Sequence, residues 1–463
     1  MKSIGTVDLI MILIYVVGFA VVAASFARKI KSAKDFTSAG QGLSLVQVIG
    51  STVATCMGAS IVFGNYELVV ANGISGMVAT LFWFVGWCGL ILISRQLRRS
   101  GATTFPGFLE KQYNGSTRKI AAYVMLISAI SSTAAQFMAF GKMTSALGIC
   151  NATTGAMAGA VIITIFAIFG GKMGSSFTDT IQSVLILLAV AIAIPFAVFH
   201  EAGGVSDVFS RVDPDMLDIT KGLTPMLLLS YSLSNFMQVS VQSGYSINIF
   251  TAKNEKVAFR GQLISMIVCL VVNLISVAPA FAAKFIYPDL TDGGTFVVRF
   301  ISDYFPPVVK GITMGALLGL LITSGNAFLG LLSSTVTQDI IMPRHPDMED
   351  RKIILYGRIS MVIGAVAITA MAIYVKSVYS LFRLGGTAYG AAMFFPVMLS
   401  LTWKKVHPKA ANLAMIVGAG SSFLLDLTKI IPVGGIIVGA ILCLLICVFG
   451  TFYFNKTQPV ASK

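Results

Sequence analysis

Long apolar runs constrain this chain more than any other feature, because a helix needs roughly 20 mainly apolar residues to cross a bilayer. Thirteen runs qualify, at about 7–27, 43–72, 75–94, 120–148, 153–170, 177–199, 223–248, 260–287, 308–338, 354–375, 379–402, 409–427 and 433–454. They are continuous, whereas a membrane β-barrel shows alternating segments of about 10 residues. The 463-residue chain is 56% hydrophobic and 11% charged, with mean hydropathy +0.85. An average soluble domain carries about 25% charged residues, so a soluble enzyme, a disordered chain and a nucleic-acid-binding domain are excluded. An all-α polytopic membrane protein remains. The first run is called the lead run below, and the others runs 1 to 12. The lead run is too long for a signal-peptide core and has no small-residue cleavage site before its basic cluster, so it is expected to stay and span.

Charge then reads as topology. The net charge of +14 would suggest nucleic acid in a soluble protein; here it follows the positive-inside rule. With the N-terminus outside, 23 Lys and Arg residues fall in cytoplasmic loops and 9 in external ones. A cell-membrane protein with N-terminus out and C-terminus in is expected. The ten residues after Tyr453 leave no room there for a cytoplasmic signalling domain. The six cysteines (Cys56, Cys88, Cys150, Cys269, Cys443, Cys447) lie in or at the ends of apolar runs. They show neither disulfide-like spacing nor a zinc cluster, and read as small buried apolar side chains.

Function in such a chain sits where the spans carry polar or helix-breaking residues. Run 1 does so at Gly50-Ser-Thr-Val-Ala54-Thr-Cys-Met57-Gly-Ala-Ser60. Such a stretch can unwind and offer carbonyls to a cation, or serve close helix packing. Run 6 carries Asn235, Gln238 and Gln242 at i, i+3, i+7 on one helix face, toward a cavity or a partner helix. In run 8, Leu320, Thr323 and Ser324 stand at i, i+3, i+4. Their carbonyl and two hydroxyls are hard donors for a hard cation, or the hydroxyls bond back to the preceding turn. Asp179 opens run 5, as a functional carboxylate or one satisfied by the helix dipole. Arg383 lies one or two turns inside run 10. It is open to three readings: binding an anionic group, pairing with Glu67, or snorkelling outward.

The stretch Gly170-Gly-Lys-Met-Gly-Ser-Ser-Phe177-Thr178-Asp179-Thr-Ile-Gln182 resembles the helix 4–5 signature of the sodium:solute symporter family, which holds the sodium–proline, pantothenate, sialic acid and glucose symporters. Phe36–Gly64, Arg99–Tyr113, Asn248–Gln262 and the Trp403-Lys-Lys405 end of run 10 are similar to its other motifs. The resemblance implies thirteen transmembrane helices and a five-plus-five inverted repeat with broken helices 1 and 6. The expected division is 1–35 for the lead helix and basic loop, 36–200 and 201–405 for the two repeats, and 406–463 for peripheral helices and tail.

It also implies a sodium site built from the carbonyls of Ala54, Met57 and Leu320 and the hydroxyls of Thr323 and Ser324. Asp179 matches the family carboxylate near sodium, which in some members forms a second ion site with the helix 8 hydroxyls. The solute cavity maps onto Ser60, Ile61, Asn235, Gln238 and Arg383, with Gln136 near a further position. This chain departs from the family at Cys56, where sodium–proline members carry an acidic residue, and at Gly58, where they carry a hydroxyl. Ile61 and Val239 replace a polar and an aromatic group of the sugar carriers. Lost sugar-binding groups with a gained Arg383 point to a carboxylate-bearing solute, since a buried guanidinium needs an anionic partner.

The expected activity is sodium-coupled uptake by alternating access, with sodium as coupling ion and no other cofactor. The partners are a small solute and the bilayer, without nucleic acid; the oligomeric state is open. A proton-coupled symporter using Asp179, or a sodium symporter of a neutral solute, is the alternative. A sensor or passive pore fits less well, and no nucleophile–base pair suggests an enzyme.

Overall fold

The computed structural model describes residues 5–27, 32–375, 377–403, 405–428, 430 and 434–457. Lys2, Arg28, Lys29, Lys31, Lys376, Lys404, Lys429 and Lys463, which enter the loop-charge argument, lie outside the described residues. Among the described residues every regular element is a helix, apart from one isolated bridge between Leu43 and Ala252.

The apolar runs become α1 (Thr6–Ala27), α2 (Leu45–Cys56), α3 (Asn65–Arg99), α4 (Gly115–Ala146), α5 (Ala152–Leu187), α6 (Pro225–Ser240), α7 (Ser243–Thr251), α8 (Glu255–Val277), α9 (Val309–Ser334), α10 (Asp350–Tyr374), α11 (Val378–Thr402), α12 (Pro408–Thr428) and α13 (Gly435–Thr457). Their starts follow local chemistry. The Ser44 hydroxyl and the Gln47 side chain form a reciprocal capping box at α2. Asn114, Asn151 and Asn254 each accept a backbone N–H in the first turn of α4, α5 and α8, satisfying donors a helix start leaves free.

Ten helices among the described residues are long and apolar enough to cross a membrane. The count of thirteen reached from the sequence needs more. It adds the lead helix α1 and the α6–α7 segment, and it divides the Ser60–Arg99 stretch in two. That stretch turns at Gly73, where φ is 57° and ψ −139°. A side chain is strained in this conformation, and a Cβ there would lie 2.2 Å from the Met216 carbonyl oxygen. A similar turn at Gly171 (φ 51°) divides α5.

Two segments are broken, as expected of helices 1 and 6. The first stops at Cys56 and resumes as a π-helical turn, Ser60–Gly64, leading into α3. The second stops at Ser240 and resumes at Ser243. The lower halves are tied together: the Leu43 N–H donates to the Thr251 carbonyl at 3.1 Å, the Lys253 N–H to the Leu43 carbonyl at 2.9 Å, and the Asn248 amide to the Thr52 hydroxyl at 3.0 Å. Around them α4, α5, α8 and α9 form the wall, and α12 and α13 pack on each other and on α11. In a bilayer such contacts rest on small residues that let backbones approach. At Gly50 of α2 a Cβ would lie 2.6 Å from the Cα of Thr180 on α5. The outer faces, such as Ile363 and Val366 of α10, stay exposed and apolar.

The cysteines correct the sequence reading in part. Cys56, Cys269, Cys443 and Cys447 are buried, but Cys88 is exposed and Cys150 half-buried. In a membrane span lipid is itself an apolar solvent, so burial inside the protein is not needed.

Candidate cation site and solute cavity

The break in the first helix faces α9. The Ser324 hydroxyl lies 3.1 Å from the Ala54 carbonyl oxygen and 3.4 Å from that of Thr55. The neighbouring Thr323 hydroxyl lies 3.1 Å from the Leu320 carbonyl, the back-bonding expected of a threonine in a helix. All of these residues are buried. Met57 caps the broken end, with φ −74° and ψ 55°, and its N–H donates to Val53. Gly58 makes the approach of α9 feasible: a Cβ there would sit 2.8 Å from the Ser324 Oγ and 3.1 Å from the Gln136 Nε2. Ser324 thus meets the Ala54 carbonyl at the break, with Thr323 and Leu320 on the same stretch of α9 and Met57 at the broken end. A hydroxyl hydrogen can rotate away and leave a lone pair for a cation, so the two hydroxyl–carbonyl pairs offer four hard oxygens. Asp179 reaches the same helix, α2, before its break. Its Oδ2 accepts from the Ser51 hydroxyl at 3.0 Å, one turn before Ala54, and its Oδ1 has no hydrogen-bond partner.

A cavity opens next to the break. Cys56, Ser60, Ile61 and Asn65 line one side, Thr80, Trp83 and Phe84 of α3 another; Asn235, Asn273, Tyr379 and Phe382 complete it. Every lining side chain is uncharged. Asn235 donates to the Ala79 carbonyl at 2.8 Å, and Asn65 to Asn273 at 2.9 Å, leaving the Asn273 Nδ2 unpaired.

Of the residues expected there, Ser60, Ile61 and Asn235 line the cavity, while Gln136, Gln238 and Arg383 are not among its lining residues. The Gln136 Oε1 accepts the Ala59 N–H at 3.0 Å; the break frees that donor, and the amide satisfies it. Gln238 lies against Gly386 of α11, where a Cβ would meet its Oε1 at 2.0 Å. Arg383 does not pair with Glu67. Its guanidinium is 3.5 Å from Asp426 on α12 and 4.4 Å from the Tyr231 ring centroid. Asp426 also accepts from the Thr387 hydroxyl at 2.7 Å and the Gly435 N–H at 2.9 Å. Glu67 instead faces Lys142 at 3.5 Å, which also holds Asp292 at 2.6 Å.

Sequence reasoning missed Asp426 and Asn273, although a carboxylate or amide within an apolar run is the signal that marks them. It also counted Lys172 only as a loop charge. The aromatic lining, Trp83 and Phe382 with ring centroids 5.6 Å apart, carries no signal in the sequence that sets it apart from core.

The profile of the sodium:solute symporter family matches residues 36–418. The chain belongs to this family. It is 24% identical over 427 residues to the osmoregulated proline transporter OpuE of Bacillus subtilis, covering 88% of this chain and 86% of that protein. It is also 24% identical to the sodium/pantothenate symporter of Escherichia coli, covering 72% of this chain and 71% of that one. The substrate-bound, outward-open structure of a Na+-coupled sialic acid symporter superposes with a TM-score of 0.82 at 17% identity, covering 97% of this chain and 98% of that one. The fold is therefore that of this symporter, and in this chain two of its helices are broken, at Met57–Ala59 and Val241–Gln242.

Proposed function

We propose that this family member is a sodium-coupled secondary symporter that imports a small carboxylate-bearing organic solute by alternating access. The observation that carries the reading is the meeting of Ser324 with the Ala54 carbonyl at the broken helix. Sodium is held there by the oxygens of Ala54, Met57, Leu320, Thr323 and Ser324, with Asp179 as the nearby carboxylate. The solute occupies the cavity bounded by Ser60, Asn65, Asn235 and Asn273. The names of the relatives, which concern proline, pantothenate and sialic acid, support a carboxylate-bearing solute. Thirteen crossings in the cell membrane, an external N-terminus and the 36–200 and 201–405 repeats belong to the same reading.

Coupling follows from linkage: sodium that favours the outward-open state raises solute affinity, and the solute raises sodium affinity equally. One charge moving through 100 mV supplies about 2.3 kcal/mol. The test is uptake into proteoliposomes of labelled proline, pantothenate and sialic acid under an inward sodium gradient. Uptake of one that collapses without sodium is expected; uptake that follows a pH gradient and ignores sodium overturns the reading in favour of proton coupling.

The Arg383–Asp426 pair favours a second reading on substrate charge. The guanidinium already has its anion, and the cavity lining is uncharged. A zwitterionic or neutral solute therefore suits the cavity better than a net anion.

A further inference from the structure

Lys172 is a buried ammonium that the cation site and the cavity leave unexplained. It follows the turn at Gly171 and is 9% exposed. Its Nζ donates to the Asn248 Oδ1 at 2.7 Å and to the Ser51 Oγ at 3.3 Å. Ser51 in turn donates to the Asp179 Oδ2 at 3.0 Å, and Asn248 donates to Thr52 at 3.0 Å. The ammonium thus sits between α2 and α7, the lower halves of both broken helices. One hydroxyl separates it from the carboxylate. A buried charge of either sign persists only when paired, and each of these two is the other's nearest counter-charge in this network.

The α9 side points the same way. A small cavity is lined by Lys172, Ser175, Asn326, Ala327 and Ser333 among others. One turn on from Thr323, then, α9 offers the Asn326 amide and the methyl group of Ala327, and the space beside them is already faced by the ammonium. A sodium ion in this space, within about 6 Å of the ammonium, would be repelled by it. At an effective dielectric constant of about 20, that repulsion weakens cation binding roughly a hundredfold.

We propose that the Lys172 ammonium is a tethered cation that stands in for a second sodium ion at Asp179, so that this carrier binds a single sodium ion, at the Ala54–Ser324 break. The inference rests on the sodium-symport reading and fixes its ion count. The carboxylate is neutralised in every conformation by a group that cannot leave. Ser51 and Asn248, which hold the ammonium, tie it to the elements that move if the inner halves of the broken helices separate.

The test is equilibrium binding of 22Na+ to the purified full-length protein in detergent, without solute. One ion per wild-type chain is expected. Lys172→Met frees Asp179 and is expected to bind two, with the second lost again when Asp179→Asn is added. Lys172→Gln, which removes the charge but keeps a donor for Asn248 and Ser51, is likewise expected to bind two ions, which keeps the proposal testable if Lys172→Met does not fold. Two ions per wild-type chain, falling to one in Asp179→Asn, overturn the proposal and leave the symport reading standing. A Lys172→Met protein that folds and still binds one ion overturns it too. A wild-type chain that binds none overturns the symport reading itself.

Discussion

The Ser324 hydroxyl reaches the carbonyl of Ala54 at 3.1 Å, across 270 residues of sequence. The contact joins α9 to the broken end of α2, where backbone carbonyls have no helical donor to accept from. Replacing Thr323 or Ser324 by alanine removes one oxygen from the proposed cation shell. An interaction with a charged partner contributes about 1.5–3 kcal/mol, so each variant should need at least about tenfold more sodium for half-maximal thermal stabilisation. Unchanged sodium titrations in folded variants would place the site elsewhere.

Gly58 is a steric test of the same site. An added Cβ would lie 2.8 Å from the Ser324 Oγ and 3.0 Å from its Cβ, so α9 must retreat from the break. Gly58→Ala should therefore abolish sodium-induced stabilisation. Gly420→Ala, where a Cβ meets nothing within 4 Å, should be silent and serves as the control.

Arg383 and Asp426 are expected to behave as a structural pair. Breaking a fully buried pair from one side costs about 3–5 kcal/mol; with side chains 20% and 9% exposed, about 1–3 kcal/mol is the expected loss for Arg383→Gln or Asp426→Asn. The double variant should recover most of it and should still take up solute. If the double variant is stable but has lost solute binding, the guanidinium grips the solute directly.

On α4, Lys142 holds the start of α3, beyond the first break, to the loop before α9. It bridges Asp292 at 2.6 Å and Glu67 at 3.5 Å, and removing it leaves two carboxylates facing each other. Lys142→Met should speed labelling of Cys56, which lines the cavity, by a water-soluble thiol reagent several-fold in a Cys88→Ala, Cys150→Ala background. Glu67→Gln should do less, because Asp292 keeps the closer contact. Equal labelling rates in all three proteins would deny Lys142 a closing role over the cavity.

Much of the fold was legible because a bilayer asks little of the sequence beyond length and apolarity. The runs mark the helices, Asn and Ser mark their starts, and the small residues of Gly50–Ser60 mark the first break. That Leu320, Thr323 and Ser324 share one face was legible because i, i+3, i+4 spacing is fixed by the helix itself.

What the sequence could not supply was which polar group meets which. Arg383 reads as a substrate ligand or a partner of Glu67 until the packing of α11 on α12 puts Asp426 beside it. Gln136 reads as a solute contact until the break in α2 leaves the Ala59 N–H needing an acceptor. Lys172 reads as a loop charge until the turn at Gly171 folds it between α2 and α7. Helix periodicity sets the face on which a side chain lies, and the chain carries that information locally. Partners across helices depend on how near the backbones come. That distance was decided only in the tertiary structure, by small residues such as Gly50 and Gly58 and by the cost of leaving a buried polar group unpaired.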